Sequence, residues 1–150
     1  MEVDINGKID RSWNIMLNYA YTDAKISKYN DAARIGQMLY GTARHIANSW
    51  LTYTVQDGGF RGLGVSTGFK LQTKRAAWPV TKEKYLPDNF FSIDAGMSYK
   101  RDNYNIALVV NNVINRYNYV GFYPGAWGYK HYGWRAMPPT NFRLSLGYSF

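Results

Sequence analysis

Residues 141–150 read N-F-R-L-S-L-G-Y-S-F, and this stretch decides the fold. Phe142, Leu144, Leu146, Tyr148 and Phe150 stand at every second position, with Arg143, Ser145, Gly147 and Ser149 between them. Successive side chains of a β-strand point to opposite faces, so this is a strand with one apolar face and one small or polar face. A sheet in water more often ends its last strand in polar residues than in a bare apolar edge.

A strand whose outer face meets lipid has no such restraint. Strands of outer-membrane barrels alternate apolar-out and polar-in, with aromatic girdles at both water interfaces. Tyr148 and Phe150 fit such a girdle.

The same period recurs upstream. Tyr104, Ile106, Leu108 and Val110 alternate with polar or small residues, as do Phe91, Ile93, Ala95, Met97 and Tyr99. Leu63, Val65, Thr67, Phe69 and Leu71 alternate with Gly62, Gly64, Ser66, Gly68 and Lys70, a nearly bare inward face. Residues 45–56 are strand-like with Leu51, Tyr53 and Val55 as the favoured outer set, although Ile46 and Trp50 take the other parity. Trp13, Ile15, Leu17, Tyr19 and Tyr21 form one more row, and Val3 with Ile5 opens a hairpin onto it.

Seven strands result, and their connectors alternate short and long. Asp57-Gly58-Gly59 reads as a tight turn, and residues 101–103 as another. Residues 25–44, 74–88 and 116–138 read as long loops, the first with room for a short helical turn. An antiparallel meander delivers every second connector to the same side, so the three long loops share the extracellular end and the short turns the periplasmic one. The expected fold is all-β: an antiparallel up-and-down transmembrane β-barrel segment of about seven strands with three long outer loops.

Composition agrees. Of 150 residues, 17% are aromatic and 14 are glycine, which suits girdles and sheet corners better than a helical core. No run of about 18 apolar residues exists, so a membrane-spanning helix is excluded. The net charge of +8 calls for an anionic partner. Cysteine is absent, which removes disulfides and thiolate metal sites. Met1 is followed at once by Glu2, Val3 and Asp4, without the apolar core of a signal peptide, so the chain is expected to stay in the cell or to be a piece of a longer one.

Several stretches together resemble TonB-dependent outer-membrane receptors. I-A-L-V-V-N-N-V-I-N-R-Y, residues 106–117, is similar to that family's penultimate barrel strand running into an Asn-rich element and a Tyr. W-N-I-M-L-N-Y-A-Y-T-D-A from Trp13, N-S-W-L-T-Y-T-V from Asn48, residues 86–99 and the terminal R-L-S-L-G-Y-S-F resemble further strands in the family's order. Ser145 stands where the family's terminal assembly signal commonly has Gly, and Tyr148 with Phe150 would be that signal here.

The resemblance implies energised import of a ferric siderophore or similar small anionic nutrient through a barrel of about 22 strands closed by an amino-terminal plug. Residues 1–150 would be the carboxyl-terminal portion of that barrel, with the amino-terminal barrel and plug missing. Expected partners are outer-membrane lipid and lipopolysaccharide, the ligand, the missing barrel and plug, and TonB through that plug, but no nucleic acid. Alone in lipid, an open seven-strand sheet leaves two edges of unpaired backbone groups, each costing several kcal/mol. A longer chain, or an eighth strand hidden in a loop, would close it.

The third long loop is the candidate ligand site. Tyr117, Tyr119, Phe122, Tyr123, Trp127, Tyr129, Tyr132 and Trp134 are interleaved there with glycine and basic residues including Arg135, and no acid. Aromatic faces beside guanidinium groups suit a large, flat, anionic ligand; the same residues would also serve as an upper interfacial belt. Arg34, Arg44, Lys74, Arg75, Lys82 and Lys84 are placed in the other outer loops, for steering or for lipopolysaccharide phosphates.

No catalytic, metal or cofactor site is expected. His45 and His131 lack partners at ligand or triad spacing, and Gly62, Gly64 and Gly68 fall on one strand face with the wrong interval for a dinucleotide loop. Those glycines are expected to let the wall curve or to leave room in the lumen, and Asp94 and Lys100 to stay wet there. The competing reading is a soluble basic β-protein that stacks single-stranded nucleic acid on aromatics. It needs aromatic and basic residues on one sheet face.

Overall fold

A computed structural model describes residues 1–39, 41–76, 88–122 and 133–150, with the backbone alone at 121, 122, 133 and 134. Its order is β1 (Glu2–Lys8), β2 (Trp13–Tyr21), a 3-10 turn (Ala32–Arg34), β3 (Ala43–Thr54), β4 (Leu63–Arg75), β5 (Phe90–Arg101), β6 (Tyr104–Asn111), β7 (Tyr119–Phe122), β8 (Gly133–Ala136) and β9 (Asn141–Tyr148). Strands β1 to β6 and then β9 form one antiparallel sheet in chain order. All seven expected strands are present.

Register turns the alternation into two continuous faces. Trp13 pairs with Tyr53, Tyr53 with Val65, Val65 with Met97, Met97 with Leu108 and Leu108 with Leu144. Directly opposed residues share a face, so this is an apolar row across six strands. It also resolves β3: Leu51 and Tyr53 belong to the outer set, and Ile46 and Trp50 to the inner one. On the other face Asn14, Thr52, Ser66, Gly96, Val109 and Arg143 are opposed in turn.

Nothing among the described residues covers the apolar face. Val65, Met97, Leu144 and Leu146 are exposed, and among the described residues the buried apolar side chains are Ala43 and Ala76. The chain exposes 11320 Å², against about 7,800 Å² for a compact monomer of its mass. A single-layer sheet has no second layer to pack on, so these side chains need a solvent of their own kind.

Aromatics gather at the two ends of that face. Trp13, Tyr53, Tyr99, Tyr104 and Tyr148 lie toward the short turns, with ring centroids 4.9 Å apart for Trp13 and Tyr53 and 5.0 Å for Tyr104 and Tyr148. Tyr19, Tyr21, His45, Phe91 and Phe142 lie toward the long connectors, where the Tyr19 hydroxyl is hydrogen-bonded to His45 Nδ1 at 2.8 Å. The band between is mainly aliphatic, with Ser49 and Thr67 as its polar members. Two such belts have the arrangement of the aromatic girdles that flank the lipid-facing band in outer-membrane barrels.

Three details differ from the sequence reading. β3 begins at Ala43 and β4 runs to Arg75, so Arg44, Lys74 and Arg75 sit on strand ends rather than in loops. The β3–β4 connector is longer than the tight turn read at 57–59 and spans 55–62, with Gly58 at φ 79° and Gly62 at φ 88°; a Cβ on Gly62 would collide with the Lys100 carbonyl. The third long loop contains β7 and β8, which pair with each other and not with β1 or β9. No hidden strand closes the sheet among the described residues, and its edges β1 and β9 stay open.

Candidate functional site

The inner face is organised by side chains that fit one another. Trp50 of β3 reaches across β4 toward β5: a Cβ on Gly68 would stand 2.6 Å from Trp50 Cε3, and one on Gly96 would stand 3.4 Å from Trp50 Cζ2. The bare face of β4 is therefore occupied by the indole rather than left as empty lumen. Asn48 Nδ2 donates to Asn18 Oδ1 at 2.8 Å on the same face.

Asp94 departs most from expectation. It is 4% exposed, not wet. Its Oδ2 meets Lys70 Nζ at 2.7 Å, and its Oδ1 accepts from Ser92 Oγ at 2.9 Å and from the Asn112 backbone N–H at 2.9 Å. A buried carboxylate persists when its oxygens are paired and hydrogen-bonded, as these are.

Asn112 is the residue after β6, where the third long loop leaves the wall. It adopts φ 53° and Asn115 adopts φ 49°, left-handed conformations that asparagine tolerates better than most residues. Asn112 Oδ1 accepts from the Arg116 N–H at 3.0 Å, and its Nδ2 donates to the Arg116 carbonyl at 3.0 Å, which closes a small ring. The Val113 N–H still donates to the Ile93 carbonyl on β5 at 2.8 Å.

Two residues further along β5, a side chain replaces the strand. Asn118 Oδ1 accepts from the Phe91 N–H at 3.0 Å and Nδ2 donates to the Phe91 carbonyl at 2.8 Å, so a carboxamide stands in for a peptide group and extends the ladder. The Asn118 carbonyl in turn accepts from the Met137 N–H at 2.8 Å, directly below the β7–β8 hairpin. Thr140 Oγ1 donates to the Asn112 carbonyl at 2.7 Å and its N–H donates to Asn115 Oδ1 at 3.1 Å, tying the descending leg of the loop to the ascending one. A cavity of about 260 Å³ opens beside this cluster, lined by Lys70, Asp94, Asn111, Asn118, Met137 and Asn141 among others.

Of the sequence-proposed ligand residues, those the structure describes lie in and beside the β7–β8 hairpin. Tyr117 is 75% exposed in the irregular segment before β7, and Tyr119 is exposed on β7. Register pairs Tyr119 with Ala136 and Val120 with Arg135, which puts Tyr119 and Arg135 on opposite faces of the hairpin. Phe122 and Trp134 are placed on β7 and β8 by their backbones. Tyr123, Trp127, Tyr129 and Tyr132 lie outside the described residues, as do Lys82, Lys84 and His131.

In the other outer loops, Asp23 pairs with Lys25 at 3.0 Å and Arg44 at 2.9 Å, and Arg34 stacks on Tyr29 at 4.9 Å. The Asp23 carboxyl is held below its ordinary value chiefly by the Lys25 hydrogen bond, with Arg44 adding to it against a smaller cost of desolvation. The cluster Asp94, Asn112 and Asn118 was missed by sequence reasoning. Its signal was the density of asparagine in residues 111–118, N-N-V-I-N-R-Y-N.

An open antiparallel wall, lipophilic outside and polar inside, with the long connectors at one end, is the architecture of an outer-membrane β-barrel wall. The family model for the TonB-dependent receptor-like β-barrel matches residues 1–113, and the chain belongs to that family of outer-membrane proteins. It is 27% identical over 121 residues to the ferrichrome outer membrane transporter/phage receptor of Escherichia coli, covering 77% of this chain and 16% of that protein. It is 24% identical to a probable TonB-dependent siderophore receptor, PiuA, of Acinetobacter baumannii, covering 95% of this chain and 20% of that one.

Among solved structures, the ferric-catecholate import receptor Fiu of E. coli in its closed form aligns with a TM-score of 0.75 at 21% identity, over 99% of this chain and 20% of the receptor. FpvA of P. aeruginosa bound to heterologous pyoverdines aligns with a TM-score of 0.74 at 20% identity, over 99% of this chain and 19% of the receptor. The chain thus spans about a fifth of the length of the proteins it matches.

Proposed function

We propose that this chain is the carboxyl-terminal portion of the barrel wall of a TonB-dependent receptor, and that the whole receptor takes up a ferric siderophore or a similar anionic nutrient. The observation that carries this reading is the pairing of β1 to β6 and β9 into a wall with one lipophilic face and two open edges. Remaining strands of a larger barrel would satisfy those edges, and a plug inside it would meet the polar face and engage TonB. The outer loops would capture the ligand, with the aromatic residues of the third loop, Trp127 and Trp134 foremost, supplying contact area and Arg135 a charge. Phosphates of lipopolysaccharide would meet the outer basic residues.

The nucleic-acid alternative loses its main requirement. Most aromatics of the seven-strand sheet line the outer face, with Trp50 and Phe90 the inward exceptions, whereas Lys70, Lys100 and Arg143 fall at the inner parity. Uptake is tested by expressing the full-length receptor in cells stripped of their own siderophore receptors and supplying radiolabelled ferrichrome, a ferric catecholate and a ferric pyoverdine in turn. Accumulation of one of them that requires TonB supports the reading; no TonB-dependent accumulation of any overturns siderophore import. Replacing Trp127 and Trp134 by Ala is expected to lower that uptake several-fold with unchanged surface levels, and wild-type kinetics would leave both as interfacial residues.

A further inference from the structure

We infer that Asp94 is the positioning residue of the third outer loop, fixing where both of its legs leave the barrel wall. The legs, residues 112–118 and 137–140, lie outside the strands; besides one backbone bond, from the Val113 N–H to the Ile93 carbonyl, side-chain hydrogen bonds hold them, and these lead back to β5. Asp94 Oδ1 holds the Asn112 N–H, and Asn112 holds Arg116. Asn118 holds Phe91 and, through its carbonyl, Met137; Thr140 closes the set onto Asn112.

The polar capacity of the cluster is nearly spent internally. Both Asp94 oxygens are engaged, and the carboxamides of Asn112 and Asn118 each donate and accept at short distance. That saturation distinguishes an anchor from a ligand subsite, whose groups would be left with bonding capacity facing the cavity. Burial makes the anchor stiff, because a donor deprived of its acceptor here has little water to turn to.

Lys70 is the exposed member, with 54% of its side chain accessible, and it balances the charge rather than touching the loop. The two interactions of Asp94 are therefore separable. Asp94→Asn keeps an oxygen for the Asn112 N–H and the Ser92 hydroxyl while giving up the ion pair. Asp94→Ala gives up both.

That the positioned loop serves ligand capture rests on the function proposed above, so uptake is not the readout. The test is amide hydrogen exchange on the full-length receptor in outer membranes, followed in peptides covering 112–122 and 133–140 and in peptides from β3 and β4. Asp94→Ala is expected to speed exchange in the loop legs by on the order of tenfold or more, with β3 and β4 unchanged. Asp94→Asn and Lys70→Met are expected to stay within about threefold of wild type, on the same reasoning. Wild-type exchange in Asp94→Ala overturns the anchor, and so does a loosening in Asp94→Asn equal to that in Asp94→Ala. Should Asp94→Ala fail to assemble, the Asn and Met variants alone still decide, because loosened legs in Lys70→Met would assign the hold to the ion pair.

Discussion

Replacing Leu144 by Arg asks the membrane question directly. Leu144 lies near the middle of β9, points outward and opposes Leu108, and it is 58% exposed. In water, exchanging so exposed a leucine for arginine changes stability by no more than about 0.5 kcal/mol. At the midplane of a bilayer the same exchange on the lipid face of a barrel costs about 2–4 kcal/mol, which shifts the folding equilibrium roughly 30- to 700-fold. Ser145→Arg, one residue on, falls on the opposite, polar face and should cost little in either solvent. The assay is denaturant-dependent folding of the full-length receptor into liposomes, read by the mobility difference between folded and unfolded forms. Equal midpoints for the two variants, or a Leu144→Arg cost below about 0.5 kcal/mol, would refute the assignment of lipid to this face.

Three further outcomes follow from other parts of the wall. Gly68→Val is expected to lower the yield of folded receptor strongly, since its side chain would overlap the Ser49 carbonyl and the Trp50 indole; Trp50→Ala in the same background would restore only part, because the carbonyl remains. Phe150→Asp should reduce surface levels, measured by cell-surface labelling, if the terminal aromatic is an assembly signal; its ring packs edge-on against Tyr148 at 5.2 Å. Because Asp23 has a depressed carboxyl pKa, its hold on Lys25 and Arg44 is fully present above the ordinary value of 3.8 and is lost as pH falls through the lowered one. Exchange in the first long loop should therefore rise in acid below that range, and Asp23→Asn should remove the step.

The strands were legible because a two-residue period survives wherever one face meets a single solvent. β9, β5 and β4 show it without interruption, and even the ambiguous β3 was read correctly from Leu51 and Tyr53. What escaped has a common cause. β7 and β8 are four residues each, too short for a period to declare itself among glycines and aromatics. Asp94 sits at an inward position that looks wet in the sequence, and only chain returning eighteen residues later buries it. The asparagines of residues 111–118 marked a special turn, yet nothing local says that Asn118 would bond to Phe91, twenty-seven residues back.

The indole of Trp50 seated over Gly68 and Gly96 reverses the usual pattern of tolerance in a folded chain. Where lipid is the neighbour there is no shape to match, so Leu, Ile, Val, Phe and Met should trade places on the outer rows with small effect. The exacting positions are the glycines and amides of the interior, where another atom of the wall already fills the space. A mutational scan should therefore find its intolerant sites among the least hydrophobic residues of this protein.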